Sequence, residues 1–125
     1  MLKFVTDNEY LKLLNCDDIP DNFNILVIEA SNYINLHTFG RIDIDNIPEQ
    51  VKYVTCLIID LINKAEIQEK ESSGLKSQNI EGWSETYSTP EEIKNKLELD
   101  KQDILNKYLF NIKGKDGKEL LYRGL

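Results

Sequence analysis

The chain carries one histidine, His37. An imidazole acting as a general base needs a nucleophile and an orienting group beside it. His37 closes an amphipathic stretch, where a histidine more often packs and eases the negative end of a helix. Cys16 and Cys56 lie in apolar helical stretches, without CxxC spacing and with a single histidine for company. Neither a zinc site nor a dithiol redox centre can be assembled from that set, so two buried free thiols in a reducing compartment are expected. Asp43 and Asp45 alternate in RIDIDNIPEQ as calcium ligands do. That loop lacks the glycine, the later bidentate glutamate and the length of an EF-hand, and reads as solvated. Neither GxGxxG nor GxxxxGK[ST] occurs, so no phosphate cradle is written into the chain. No catalytic, cofactor-binding or metal site is expected, and the chain reads as a non-enzyme. The strongest aromatic pair in a loop, Trp83 and Tyr87, suits either an anchor on a protein partner or a lid over the core.

Composition sets the frame for those residues. The 125 residues are 41% hydrophobic and 30% charged, which suits one domain with one modest core. The 15 basic and 22 acidic side chains leave a net charge of -7, which opposes uniform coating of a phosphate backbone. The first ten residues, MLKFVTDNEY, lack the apolar core of a signal peptide, and no apolar run approaches the roughly 20 residues that span a bilayer. A soluble protein made in the cytoplasm is expected.

Four helix starts are legible. Pro20, Pro48 and Pro90 are each followed at once by an acid. Proline is tolerated at the first helical position, and carboxylates in the first turn favour the positive end of the helix dipole. The fourth start, Thr6-Asp7-Asn8-Glu9, has capping-box spacing, with Val5 placed to staple onto Tyr10. From Asp21, residues Phe23, Leu26, Val27, Ala30, Tyr33, Ile34 and His37 recur at helical intervals, and Gly40 supplies a left-handed stop. From Pro48 to about Lys70, Val51, Val54, Ile58, Leu61, Ile62 and Ala65 form a stripe, and Cys56, Leu57 and Ile59 make the middle apolar nearly all round. This is the expected central helix. From Pro90, a weaker stripe through Ile93, Leu97, Ile104, Leu105, Tyr108 and Leu109 is interrupted by charge, and Asp100 is placed to cap a restarted helix.

Between the third and fourth helices lies a segment rich in Ser, Gly and Asn. Residues 75–80 and 83–87 can pair across Glu81-Gly82 as a β-hairpin, which puts Lys76, Gln78, Ile80, Trp83, Glu85 and Tyr87 on one face. Such a ribbon is too polar to stand alone and must lean on its own helices or on another molecule. The expected fold is mainly α: a four-helix domain over residues 1–112 with the hairpin inserted at about 75–87, then an extended tail over 113–125. The tail holds four basic and two acidic side chains, so it is net +2 on a body of net -9. Leu120, Leu121, Tyr122 and Arg123 suit docking on a neighbouring surface, the alternative being that the tail folds back on its own helices. A chain cut after Leu109 is expected to keep a folded helical domain.

Several stretches resemble the head-tail connector (adaptor) proteins of siphophages. They are the capped first helix, the second helix closing on Thr38-Phe39-Gly40-Arg41, and the third opening at Ile47-Pro48 and running through Val51-Lys52-Tyr53-Val54. Glu81-Gly82-Trp83-Ser84-Glu85-Thr86-Tyr87 is similar to a Gly-aromatic-Ser-x-Thr-Tyr pattern of that family, and Leu120-Leu121-Tyr122-Arg123-Gly124-Leu125 to its Leu-Leu-Tyr-Arg-Gly ending. The likeness covers nearly the whole chain and rests on the order and spacing of these stretches. The linker over 111–119 is longer than the family's usual one. The resemblance implies a structural virion protein at the head-tail interface, one copy in a ring of typically twelve subunits beneath the portal. That ring extends the DNA channel, through which DNA passes without sequence-specific binding, and docks a head-completion or tail protein. No membrane and no cofactor is implied. One rival reading is a small helical interaction or regulatory module in which the second and third helices act as a helix-turn-helix, which calls for a basic recognition helix. Another is a minor enzyme or its inhibitor, which calls for convergent polar groups in a pocket.

Overall fold

The computed structural model describes residues 2–78 and 90–121, with side chains over 2–70 and 91–121. Among the described residues four helices follow in order: α1 (Asp7–Leu13), α2 (Phe23–His37), α3 (Glu49–Gln78) and α4 (Pro90–Tyr108). The mainly helical class expected from the periodicities is observed.

The Thr6 capping box forms in full. The Glu9 amide donates to Thr6 Oγ1 at 3.2 Å and the Thr6 amide donates to Glu9 Oε1 at 2.9 Å. Val5 and Tyr10 are both buried in the common core, as a staple requires. Ahead of α1, the Phe4 amide donates to the buried Ser31 Oγ of α2 at 2.9 Å, which seats the Phe4 ring in the core. The start at Pro20 moves inward: residues 21 and 22 form a turn, and α2 begins at Phe23 without a side-chain cap. Pro48 stands one residue before α3, its carbonyl accepting from the amides of Val51 and Lys52, whereas Pro90 opens α4 itself. α4 runs unbroken through Asp100, so no restart occurs there.

α2 ends in a Schellman turn. The Gly40 amide donates to the Asn35 carbonyl at 3.0 Å and the Phe39 amide to that of Leu36 at 3.3 Å. Gly40 is left-handed at φ 68°, as expected, but Phe39 before it is left-handed too, at φ 57°. A bulky residue there is strained. Beside it, the Arg41 guanidinium carbon lies 4.9 Å from the centre of the Phe39 ring.

α3 is the central helix, packing against α1, α2 and α4. Its residues Val51, Val54, Cys56, Ile58, Ile59 and Ile62 meet Leu26, Val27, Ala30 and Ile34 of α2 and Leu105 and Leu109 at the end of α4 in one core. Thr38 and Thr55, both buried, satisfy their hydroxyls on the carbonyls of Ile34 and Val51, one turn back. No buried side-chain polar atom among the described residues lacks a partner.

Two expectations about the later part of the chain need correction. α3 continues through Gln78, so residues 75–78, including Lys76 and Gln78, are helical and do not form the first strand of a hairpin. The reason lies upstream: residues 66–71 are good helix formers, and a helix already nucleated propagates at low cost through serines and one glycine. Residues 79–89, which hold the rest of that hairpin, lie outside the described residues. The tail, expected to be extended, folds back over residues 112–121. Lys113 bridges to Glu119, the Gly114 amide donates to the Lys118 carbonyl at 2.8 Å, and the Leu120 amide donates to the Ile112 carbonyl at 2.7 Å. Leu120 is 1% exposed and belongs to the core. The boundary drawn at residue 112 therefore divides sequence that packs together.

Candidate functional site

His37 sits in the last turn of α2, where its Nδ1 lies 2.9 Å from the Tyr33 carbonyl oxygen and its ring packs on Tyr33 at 4.1 Å. Tyr33 in turn donates its hydroxyl to Glu98 Oε1 at 3.2 Å, and Lys101 Nζ lies 4.2 Å from the Tyr33 ring centre. Burial, then the adjacent Glu98 charge, push the Tyr33 phenol far above its ordinary value. Burial pushes the Glu98 carboxyl up, but hydrogen bonds from Gln102, Lys101 and Tyr33 with the Lys101 charge outweigh it and hold that carboxyl low. Phenol and carboxylate are thus committed to each other and to their neighbours. The cluster clasps α2 to α4.

The other candidates for chemistry are equally committed. Asp43 Oδ1 accepts from the Asp45 amide at 3.0 Å in a loop turn, and no group of three or more His, Cys, Asp or Glu side chains among the described residues is arranged to hold a metal. Cys56 is buried in α3, and burial pushes its thiol up to about 12, far from a reactive thiolate. Cys16 is half-buried and its Sγ lies 3.6 Å from the Asp18 carbonyl.

The ordered polar chemistry of the tail converges on Arg41. Its side chain, largely buried, reaches Asp116 Oδ2 at 3.3 Å and donates to the Glu119 carbonyl at 2.8 Å, while its own carbonyl accepts from the Lys115 amide at 2.8 Å. Gly114 lies so close that a Cβ there would stand 2.6 Å from both Arg41 Cβ and the Arg41 carbonyl oxygen. This clamp seats Leu120 in the core and leaves Lys113, Lys115 and Lys118 exposed on the turn.

Of the residues expected to meet partners, Leu120 is thus a core residue of its own chain, and Leu121 is half-buried against the same core. Lys76 and Gln78 lie in the last turn of α3, without described side chains. Ile80, Trp83, Glu85, Tyr87, Tyr122 and Arg123 lie outside the described residues. What the residue reading missed is on the helices themselves: Ile25 and Leu36 of α2, and Leu99 of α4 with Phe110 just beyond it, are large apolar side chains that are mostly exposed. The signal was present. α2 contains one Asp, Glu, Lys or Arg, Glu29, in a chain that is 30% charged, and Ile25 and Leu36 lie off its inward stripe at helical spacing.

The rival helix-turn-helix reading loses its recognition element. α3 packs against the other three helices, and the eleven residues 38–48 separate it from α2, well beyond the three or four of such a turn. No helix among the described residues is long and apolar enough to cross a membrane. No protein-family model, curated protein or solved structure matches the chain.

Proposed function

We propose that the chain is a structural virion protein, a subunit of a siphophage-type head-tail connector ring that sits beneath the portal, extends the DNA channel and docks a head-completion or tail protein. The reading starts from the resemblance of the ordered stretches. The observation that supports it best is the Arg41 clamp. Arg41 ends the Thr38-Phe39-Gly40-Arg41 turn and holds Asp116 and the Glu119 carbonyl, directly ahead of Leu120. Two stretches that carry the likeness, 78 residues apart from Arg41 to Glu119, are therefore neighbours. In this reading Ile80, Trp83, Glu85 and Tyr87, which lie in sequence between α3 and α4, meet a neighbouring subunit or the portal. Tyr122 and Arg123 add to that contact from the tail.

The test is a mass measurement by light scattering on the chain alone and mixed with the portal protein of the same phage. A complex with about twelve copies per portal ring is expected, and a mixture that stays as separate components rejects the reading. In the same assay, Trp83→Ala combined with Tyr87→Ala is expected to weaken assembly by about 2 kcal/mol or more while helicity is retained. A sharp loss of helicity with unchanged assembly would instead assign both aromatics to the subunit's own core.

A further inference from the structure

Two helices of the subunit each present an outward stripe with the same order of side chains. On α2 it is Ile25, Glu29, Asn32 and Leu36, and on α4 and its continuation it is Leu99, Asp103, Asn106 and Phe110. Both have spacings of four, three and four; at 100° per residue the helical members of each set share one narrow face, and Phe110 stands in the turn just past the end of α4. The apolar ends are open: Ile25 is 58% exposed, Leu36 72%, Leu99 62% and Phe110 70%. The four polar side chains between them are exposed and make no hydrogen bond or ion pair among the described residues. Each stripe points away from its own core, which α2 meets through Leu26, Val27, Ala30 and Ile34 and α4 through Ile93 and Leu105.

We infer that the α2 stripe of one subunit packs antiparallel on the α4 stripe of the next, a head-to-tail contact between two copies of this chain. Antiparallel alignment brings Ile25 opposite Phe110 and Leu36 opposite Leu99 of the second copy. It also sets Glu29 against Asn106 and Asn32 against Asp103, so each carboxylate meets an amide donor. Lys107, exposed and next to Asn106, adds a cation near Glu29. A parallel alignment would place Glu29 against Asp103 and is rejected by like charge. An α2-on-α2 pair would also match Glu29 with Asn32, but it leaves Leu99 and Phe110 bare. The α2-on-α4 contact covers both stripes with one repeated interface. Such a contact joins two different surfaces, so it propagates from copy to copy and closes into a ring when the rotation permits. The four-residue stripe is about 16 Å long, which calls for a shallow crossing near 20° and for a small interface that strengthens through ring closure. The inference rests on the ring-subunit reading and names the surface it uses.

Mixing experiments decide it. Ile25→Lys with Leu36→Lys blocks the α2 stripe, and Leu99→Lys with Phe110→Lys blocks the α4 stripe. Circular dichroism checks that each variant folds, and sedimentation equilibrium reads the masses. Wild type is expected to associate with rising concentration, each variant alone to be monomeric, and the two variants mixed to form a 1:1 dimer through their remaining intact stripes. An α4-blocked variant that still dimerises while the α2-blocked one does not would show a two-fold α2 pair and overturn the inference. If both variants assemble on the portal as wild type does, the contact is wrong and the ring reading stands. A wild-type chain that is monomeric up to millimolar concentration also overturns the contact, and the portal mass measurement then judges the ring reading separately. Should a double variant fail to fold, Glu29→Lys serves instead, since that side chain has no partner among the described residues. It is expected to weaken association at least ten-fold, and unchanged association rejects the contact.

Discussion

Gly114 governs where the tail goes. Because a Cβ at that position would meet Arg41 Cβ and the Arg41 carbonyl at 2.6 Å, Gly114→Ala is expected to destabilise the fold by about 1–3 kcal/mol in urea unfolding. Gly117 is left-handed at φ 80° with open space around it, so Gly117→Ala is expected to cost less, about 1 kcal/mol, from backbone strain alone. Equal effects at the two positions would mean that the Arg41 contact is not what fixes the turn. The ion pair of Lys52 with Glu9, at 2.6 Å, makes a second residue-scale prediction. The hydrogen bond from Lys52 holds the Glu9 carboxyl below its usual 4.5, against a smaller upward push from burial. A carboxyl depressed in the folded state contributes stability above its unfolded value, and that contribution is lost as pH falls through the folded value. The gap in urea midpoint between wild type and Lys52→Ala is therefore expected to narrow as pH falls from about 6 to about 3. The capping box around Glu9 was legible in the sequence because its partners are three residues apart. Lys52, 43 residues away, was not, since only the packing of α1 on α3 brings it there.

At the scale of elements, helix starts and inward stripes were legible because proline, first-turn acids and periodicity are local signals. The exceptions were set by tertiary contact. The tail carries ordinary turn residues, Gly114 and Asp116-Gly117, which say that the chain bends but not what it bends onto. Arg41 and the space for Leu120 decide that, and both belong to a distant corner. A cut after Leu109, expected from the stripes to be tolerated, removes Leu120 from a closed core. Leu120→Ala alone is expected to cost about 2–5 kcal/mol, and the truncated chain to lose at least as much, measured as the fall in denaturant midpoint. Full stability in the truncated chain would show that the core closes without the tail. The outward apolar residues carry a weaker signal, because helical periodicity marks the face that closes the core and says nothing of what covers Ile25, Leu36, Leu99 or Phe110.

For the molecule as a whole, a net charge of -7 is repeated in every copy of an assembly. Copies that associate through the proposed apolar stripes would have to overcome this mutual repulsion, so added salt is expected to strengthen self-association between low ionic strength and about 0.15 M. Sedimentation at several salt concentrations checks it, and association that weakens with salt would point to contacts made mainly by ion pairs. The long reach of the Arg41 clamp also bears on the order of folding. Contacts between α2 and α3 join neighbours in the chain, whereas Arg41 and Glu119 close a loop of 78 residues, the slower event on entropic grounds. Pulse-labelled refolding should find the amides of Lys115 and Leu120 acquiring protection after those of Val54 and Ile58, so that through much of its folding time the nascent core has a gap on the Arg41 side, filled last by Leu120.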